Sequence, residues 1–293
     1  MADLCYITTC KGRLAHLKQT LPRVAAQPGL SCVVVDYSCP DSTAGWIASN
    51  FPQVRVVRVE GESGFHLARA RNIGAQAADA PWLGFFDADI LLDPGFASVV
   101  VPQLVPGRFY RAHPVTYQTW GSIICHRDDF VAVGGYDEAY AGWGGEDDDL
   151  IAALTLAGRQ AAGFSAALLS EIPHTDEERT LFYDIKDRRV HSRISQFYLQ
   201  IKLDLLRLMG KPLSAEERRS TYSEVQRVIT QVENGNRLSP AVIEVNLPAS
   251  LISTRPENGR AELSQMNRKL VYSLRIEGMY QSPGTPGAVS PRA

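Results

Sequence analysis

The sequence predicts an α/β domain, a Rossmann-like parallel sheet covered by helices on both faces, followed by a mainly helical C-terminal extension. Three features predict it. Short apolar runs alternate with helix-period segments through the first 90 residues. One of those runs, Cys32-Val-Val-Val-Asp36, is the continuous β-branched stretch expected of a strand buried on both sides. From Asp187 onward, apolar residues recur at helical spacing instead.

Leu4 to Thr8 forms a first strand. Leu14, Leu17, Leu21 and Val24 then recur at helical spacing up to Gln27-Pro28-Gly29. Pro22 lacks an N–H and crowds the preceding turn, so it should kink or shorten that helix. Ser31 to Tyr37 is the second strand, Val54 to Glu60 alternates and makes a third, Ala68 to Ala78 favours helix, and Trp82 to Phe86 is another strand. This rhythm implies a parallel sheet, in which ligands sit at the carboxyl ends of strands. Thr9-Cys10-Lys11, Asp36 and Asp87-Ala88-Asp89 each follow an apolar run and are the first functional candidates.

Glu146 to Ala157 opens acidic, continues apolar and stops at Gly158, as a helix should. Val190, Ile194, Phe197, Ile201, Leu205 and Leu208 mark a long amphipathic helix ending at Gly210-Lys211-Pro212. Ser214-Ala-Glu-Glu217 is a capping box that opens another helix toward Asn234-Gly235. The expected division is a catalytic domain over residues 1–185, a helical extension packed on it over 186–280, and a disordered Pro/Gly/Ser-rich tail over 281–293.

Hydrophobic residues make up 45% of the 293 and charged residues 21%, ordinary for a globular chain able to bury a core. A net charge of −2, with no basic stretch interleaved with aromatics, argues against a nucleic-acid partner. No apolar run approaches the ~18 residues of a membrane span. The N-terminus lacks the basic and apolar regions of a signal peptide. Five cysteines, an odd number without metal-site spacing, read as small buried or half-buried residues of a reducing compartment. A cytoplasmic location is expected.

Asp87 and Asp89 follow a buried strand, and alternate residues of an extended chain point the same way, so the two can converge. A hard divalent cation, Mn²⁺ or Mg²⁺, takes few oxygens from protein and the rest from phosphate and water, the clamp a diphosphate leaving group requires. The plainer reading is a turn leading to a cap at Asp93-Pro94-Gly95.

The glycine and acid cluster from Gly134-Gly135 through Gly142-Trp-Gly-Gly-Glu-Asp-Asp-Asp149 is the most informative stretch. The helix dipole accounts for one or two acids at a helix start, at roughly 0.3–1 kcal/mol each, but not four. Clustered carboxylates raise one another's pKa, which makes one of them a better general base. Trp143, between glycines, can stack on the apolar face of a sugar while neighbouring carboxylates accept hydroxyl hydrogen bonds. The alternative is a core Trp beside a solvated acidic cap.

Gly142 to Leu150 resembles the C-terminal catalytic motif of the β-1,4-galactosyltransferase family and related bacterial enzymes. Arg13-Leu-Ala-His16-Leu17-Lys18-Gln-Thr-Leu21 is similar to that family's first helix. Asp36 and the Ala70-Arg71-Asn72-x-Gly74 run resemble the large family 2 of inverting glycosyltransferases. The matches span about residues 4–180, in order. The resemblance implies a GT-A fold, inversion at the anomeric carbon, a UDP-sugar donor and Mn²⁺ or Mg²⁺. It makes Asp89 the metal aspartate, Asp87 its nucleotide-facing partner and His174 the later metal ligand. Asp147 becomes the base, with Glu146 and Asp148 on acceptor hydroxyls and Trp143, Gly144 and Gly145 under the sugar. Thr9, Lys11, Arg13, Asp36, Phe65 and Arg69 fall on the nucleotide side, where Phe65 either stacks on uracil or belongs to the core.

Two departures stand out. Glu171 occupies the position of a metal-binding methionine, either as a harder ligand or as a solvent-exposed side chain. Leu67 replaces an arginine expected near the pyrophosphate. The function so implied is metal-dependent transfer of a hexose or N-acetylhexosamine to a carbohydrate, peptide or small-molecule acceptor. Ala139 to Gly145, bracketed by glycines, is read as a loop that orders over the donor. The helices beyond Asp187 shape either the acceptor site or a homo-oligomer contact. A sugar-nucleotide pyrophosphorylase would need a longer Gly-rich basic loop than Thr9-Cys10-Lys11-Gly12-Arg13. A degenerate carbohydrate-binding protein would lack Asp89 or the base.

Overall fold

Seven consecutive buried residues form strand β1 (Leu4–Cys10). Leu4, Tyr6 and Cys10 join one core cluster and Cys5 and Ile7 another, so the sheet is covered on both faces. Helix α1 (Leu14–Ala25) lays Leu17, Leu21 and Val24 on the first face and runs through Pro22 without stopping. Helix α3 (Leu67–Ala77) covers the second face through Ala68, Ala70 and Ala75. Its approach is close: a Cβ on Gly74 would lie 2.5 Å from Ile7 Cγ2, which only glycine allows.

The computed structural model describes residues 2–116, 118–234, 241–253 and 263–274. The chain divides into two units, Met1–Ser223 and Glu224–Ala293. In the first, β2 (Leu30–Tyr37), β3 (Arg55–Val59), β4 (Trp82–Phe85), β6 (Arg108–His113), β7 (Ile123–His126) and β8 (Gln160–Ser165) join β1 in the order β3-β2-β1-β4-β7-β6-β8. Strands β3, β2, β1 and β4 are parallel, as the sequence predicts. Beyond them the sheet is mixed, with β7 antiparallel to both β4 and β6. The chain between β6 and β7 is too short for a crossover helix, so those strands cannot run parallel.

Short elements the sequence reading leaves unassigned complete the layers: α2 (Thr43–Asn50), α4 (Phe96–Val100) and α5 (Arg127–Ala132). Strand β5 (Ile90–Leu92) pairs antiparallel with β9 (Leu169–Glu171) in a small second sheet. Helix α6 (Glu146–Leu156) buries Leu150 and Leu154 beside α3 in the second core cluster.

The short helix α7 (Asp176–Thr180) carries a Thr175/Glu178 capping box. The long helix α8 (Arg188–Met209) is capped by Asp187 and ended by Gly210 at φ 67°. The Ser214/Glu217 box caps α9 (Ala215–Glu233) with both of its hydrogen bonds formed. Lys202 of α8 donates to Asp137 and Asp149, and Tyr198 donates to Asp137. The first unit thus runs past the expected boundary at residue 185 and takes in α8, which buried ion pairs tie to α6.

The C-terminal region is helical through α9. In the second unit β10 (Ala241–Ser253) and β11 (Leu263–Leu274) then form an antiparallel hairpin, which the expectation of helix to residue 280 did not include. Ala241, Ile243 and Val245 alternate with polar or exposed neighbours at strand period. The tail expected over 281–293 lies outside the described residues. Among the described residues no helix is long and apolar enough to cross a membrane.

Candidate active site

The carboxyl ends of β1 and β4 open into one cavity, lined by Thr9, Lys11, Arg13, Phe65, Asp87 and Asp89 among others. A second cavity of about 290 Å³ lies between Trp120-Gly121, the start of α6 and the α8 residues Ser192, Ser195, Gln196 and Leu199. Leu67, Asp87, Asp89, Trp143 and Arg179 border both. The two cavities therefore meet at the carboxylate pair, as the sheet topology requires.

The nucleotide-side candidates separate. The Lys11 ammonium donates to the carbonyls of Tyr37, Ser38 and Glu62, which uses its three N–H groups to tie loops together. Arg13 donates to the Glu178 carbonyl and so holds α7 against the cavity. Phe65 packs edge-on to Tyr37 and beside Tyr183, with its own backbone N–H on the Phe182 carbonyl. Asp36 and Arg69 do not border either main cavity. The Asp36 carboxylate accepts from the N–H groups of Cys39 and Ala44, and Arg69 pairs with Glu62 at 2.7 Å.

Pairing of β5 with β9 sets the Ile172 N–H on the Asp89 carbonyl and brings His174 Nδ1 within 3.1 Å of Asp89 Oδ2. His174 and Asp87 border the same cavity. Burial, and then the charge of Asp87, raise the Asp89 pKa to about 6, against the smaller opposing pull of His174. A cation would relieve that strain, and a carboxylate with an imidazole suits Mn²⁺ or Mg²⁺. Among the described residues no three His, Cys, Asp or Glu side chains close into a ligand group. The residues thus fit an open platform, on which a diphosphate and water complete the coordination. Glu171 sits opposite Ile90 in the β5–β9 ladder and borders neither main cavity.

The four acids that open α6 divide among three partners. Arg71, on α3 and 2% exposed, donates to Glu146 Oε1 at 2.9 Å, Asp147 Oδ1 at 2.7 Å and Asp87 Oδ1 at 2.8 Å. Asp148 accepts from the Trp120 indole at 2.9 Å, and Asp149 from Lys202 at 2.7 Å. One buried guanidinium facing three carboxylates leaves an excess of negative charge. Burial first and Asp147 second raise Glu146 to about 8, so Glu146 holds its proton near neutrality. Burial also raises Asp147, with Arg71 opposing. The other Asp147 oxygen, Oδ2, is turned toward Gly121, where a Cβ would come within 2.9 Å of it.

The loop before α6 is held from behind. The Gly142 N–H donates to Tyr222 Oη, the Trp143 N–H to His191 Nδ1, and Ser195 Oγ donates to the Gly144 carbonyl. Gly144 and Gly145 have φ of 76° and 93°, and a Cβ on Gly145 would lie 2.4 Å from Ser195 Cβ. Only glycine fits there. The segment expected to order over the donor is already seated on α8 and α9. The Arg188 guanidinium lies over the Trp143 ring, with its carbon 4.5 Å from the centroid.

Sequence reasoning missed Arg71 as a site residue, along with Trp120, Arg179 and Phe182. Charge balance could have found Arg71: four acids at a buried helix start need a cation, and the Ala70-Arg71-Asn72 run supplies one. Trp120 gives no such signal, since its contact with Asp148 depends on how the 114–122 loop folds.

Residues 5–117 match the family described as glycosyl transferase family 2, and residues 108–176 match that described as the N-terminal domain of galactosyltransferase. The second match takes in the whole acid cluster. The chain is a GT-A glycosyltransferase. Among solved structures, this glycosyltransferase is similar to S. aureus TarS 1-349 in complex with UDP-GlcNAc, at 12% identity and TM-score 0.56, over 79% of this chain and 74% of that one. It is similar too to the mannosyltransferase PcManGT from Pyrobaculum calidifontis in complex with GDP-Man and Mn²⁺, at 14% identity and TM-score 0.50, over 80% of each chain. No curated protein matches the glycosyltransferase significantly.

Proposed function

We propose that this glycosyltransferase moves a hexose or N-acetylhexosamine from a UDP-sugar to an acceptor nucleophile by a single, inverting, metal-dependent displacement. The observation that carries the reading is the position of Asp147. It sits at the start of α6 on the wall of the second cavity, beside the Asp87–Asp89 pair that the two cavities share. A base there faces an acceptor in the second cavity while the donor diphosphate occupies the first.

Arg71 fixes Asp147 Oδ1 and leaves Oδ2 toward the space over Gly121. Near neutrality Glu146 keeps its proton, so the charge of the pair resides on Asp147, which takes the acceptor proton as the new bond forms. Trp143 and Trp120 offer flat apolar faces to a sugar ring, and Asp148 an oxygen to its hydroxyls. Asp89 and His174, with Asp87 beside them, would hold a divalent ion, which when bound supplies charge neutralisation to the departing diphosphate. The UDP-GlcNAc bound by TarS and the GDP-Man and Mn²⁺ bound by PcManGT support a nucleotide-sugar donor and a metal.

The deciding experiment is Asp147→Asn, assayed for donor affinity and single-turnover transfer in parallel. Transfer should fall by about 10²–10⁴-fold while UDP-sugar affinity holds, because the loss lies in the transition state. Near-normal transfer removes Asp147 from the mechanism. Loss of donor affinity alone reassigns it to the donor site.

A further inference from the structure

Cys10 ends β1 and Cys39 lies in the loop after β2, and the two sulfurs are 3.7 Å apart. Cys10 is fully buried and Cys39 half-buried, the latter bordering a third, open cleft together with Asp36, Asp41, Thr43 and Arg58. The Cys39 sulfur accepts from the Gly12 N–H at 3.1 Å and from Thr43 Oγ1 at 3.2 Å, donors that favour a thiolate. Two acids flank the residue: the Asp41 carboxylate accepts from Cys39 Sγ at 3.8 Å and the Asp36 carboxylate from the Cys39 N–H at 3.0 Å. The Cys10 thiol, donating to Cys39, pulls the latter down to about 6 and is itself pushed up. A half-buried cysteine on an open cleft, in contact with a fully buried one, is the arrangement of an attacking and a resolving cysteine.

We propose that Cys10 and Cys39 form a redox couple at the edge of the third cleft, oxidised by hydrogen peroxide to a disulfide that weakens nucleotide binding. The Cys39 thiolate attacks one peroxide oxygen, the O–O bond breaks, and Cys39 becomes a sulfenic acid with release of one water once the oxide is protonated. The Cys10 sulfur then attacks the Cys39 sulfur, the S–O bond breaks, and a second water leaves with the Cys10 proton. Two thiols and one peroxide give one disulfide and two waters.

Closing the sulfurs to about 2.05 Å draws the two loops together. Gly12 and Arg13 follow Cys10 directly, and Arg13 borders the donor cavity. The backbone at Gly12 packs closely on the Phe182 ring, with no room for a Cβ between them, and Phe182 borders the same cavity. Lys11 is tied to the Tyr37 and Ser38 carbonyls of the same Cys39 loop. The coupling to nucleotide rests on the donor-site reading above; the thiol chemistry does not.

The test is treatment of the full chain with one equivalent of hydrogen peroxide, followed by alkylation and peptide mass mapping. A Cys10–Cys39 linked peptide should form, while Cys5, Cys32 and Cys125 stay reduced. The Cys10→Ser chain should instead trap a sulfenic acid at Cys39, captured by dimedone. UDP affinity by calorimetry should drop roughly tenfold on oxidation, within the usual range for coupled sites, recover with dithiothreitol, and be insensitive to peroxide in Cys39→Ser. Sulfinic acid at Cys39 with Cys10 still free, or no loss of thiols, overturns the couple. A formed disulfide with unchanged affinity overturns its effect on the nucleotide, and leaves the transferase reading to its own test.

Discussion

One guanidinium is the counter-charge to three carboxylates around the second cavity. Arg71 is buried among Asp87, Glu146 and Asp147, and removing it leaves three carboxylates with no cation. Arg71→Met should cost about 3–5 kcal/mol in urea unfolding, the usual loss when one partner of a buried pair goes. Glu146 makes the same point through pH. Its folded pKa of about 8 lies above the ~4.3 of an unfolded glutamate. Between those values the folded state binds more protons than the unfolded one, so stability falls as pH rises. Thermal midpoints should decline from pH 5.5 to pH 8.5, and Glu146→Gln should flatten that slope. An unchanged slope in the variant means that Glu146 does not hold the proton. None of this was legible from Glu146 to Asp149 alone, where four acids look alike. What separates them is the partner each finds on another element.

At the level of elements, helix α8 holds the catalytic helix and the glycine loop at once. Lys202 neutralises Asp137 and Asp149, whose side chains are 3% and 5% exposed. Lys202→Met should therefore cost several times more than loss of a surface pair, about 3–5 kcal/mol against ~0.5. Equilibrium unfolding by denaturant measures it, and a change below 1 kcal/mol would show that α8 is only loosely tied. Gly145→Ala should also destabilise, from its φ of 93° and the 2.4 Å approach to Ser195. Strands β1, β2 and β4 were readable because each is a buried apolar run, and α6 because acids and a glycine mark its ends. Strands β5 and β9 were not, since three residues carry no period. Yet their pairing is what joins Asp89 to His174. The hairpin of β10 and β11 did carry a signal, the alternation from Ala241 to Val245, which the assumption of a continuing helical extension hid.

For the whole molecule, the two cavities come from different stretches of sequence. Residues before about 90 supply most of the wall of the first, the proposed donor side, and residues beyond 120 most of the second. The family matches divide in the same region, one over 5–117 and the other over 108–176. Ligand linkage tests the donor half. UDP with Mn²⁺ should raise the thermal midpoint, by up to ~2.7 kcal/mol of stabilisation at a hundredfold excess over Kd. EDTA and Asp89→Ala should each remove that gain, and an equal gain in EDTA argues against the metal. Leu67 borders the same cavity as Arg13 and Arg179, two arginines within reach of the space that an arginine at 67 would have faced.

Ser195 secures the glycine loop from one face of α8, while Ser192, Gln196 and Leu199, within a turn of it, border the acceptor cavity. Ser195 is thus anchor and rim at once, while its three neighbours on the helix are rim alone. A library varying those three rim positions, with Ser195, His191 and Lys202 kept, would alter the shape offered to an incoming acceptor without disturbing the machinery beneath. The wall of that cavity is, to that extent, an interchangeable part.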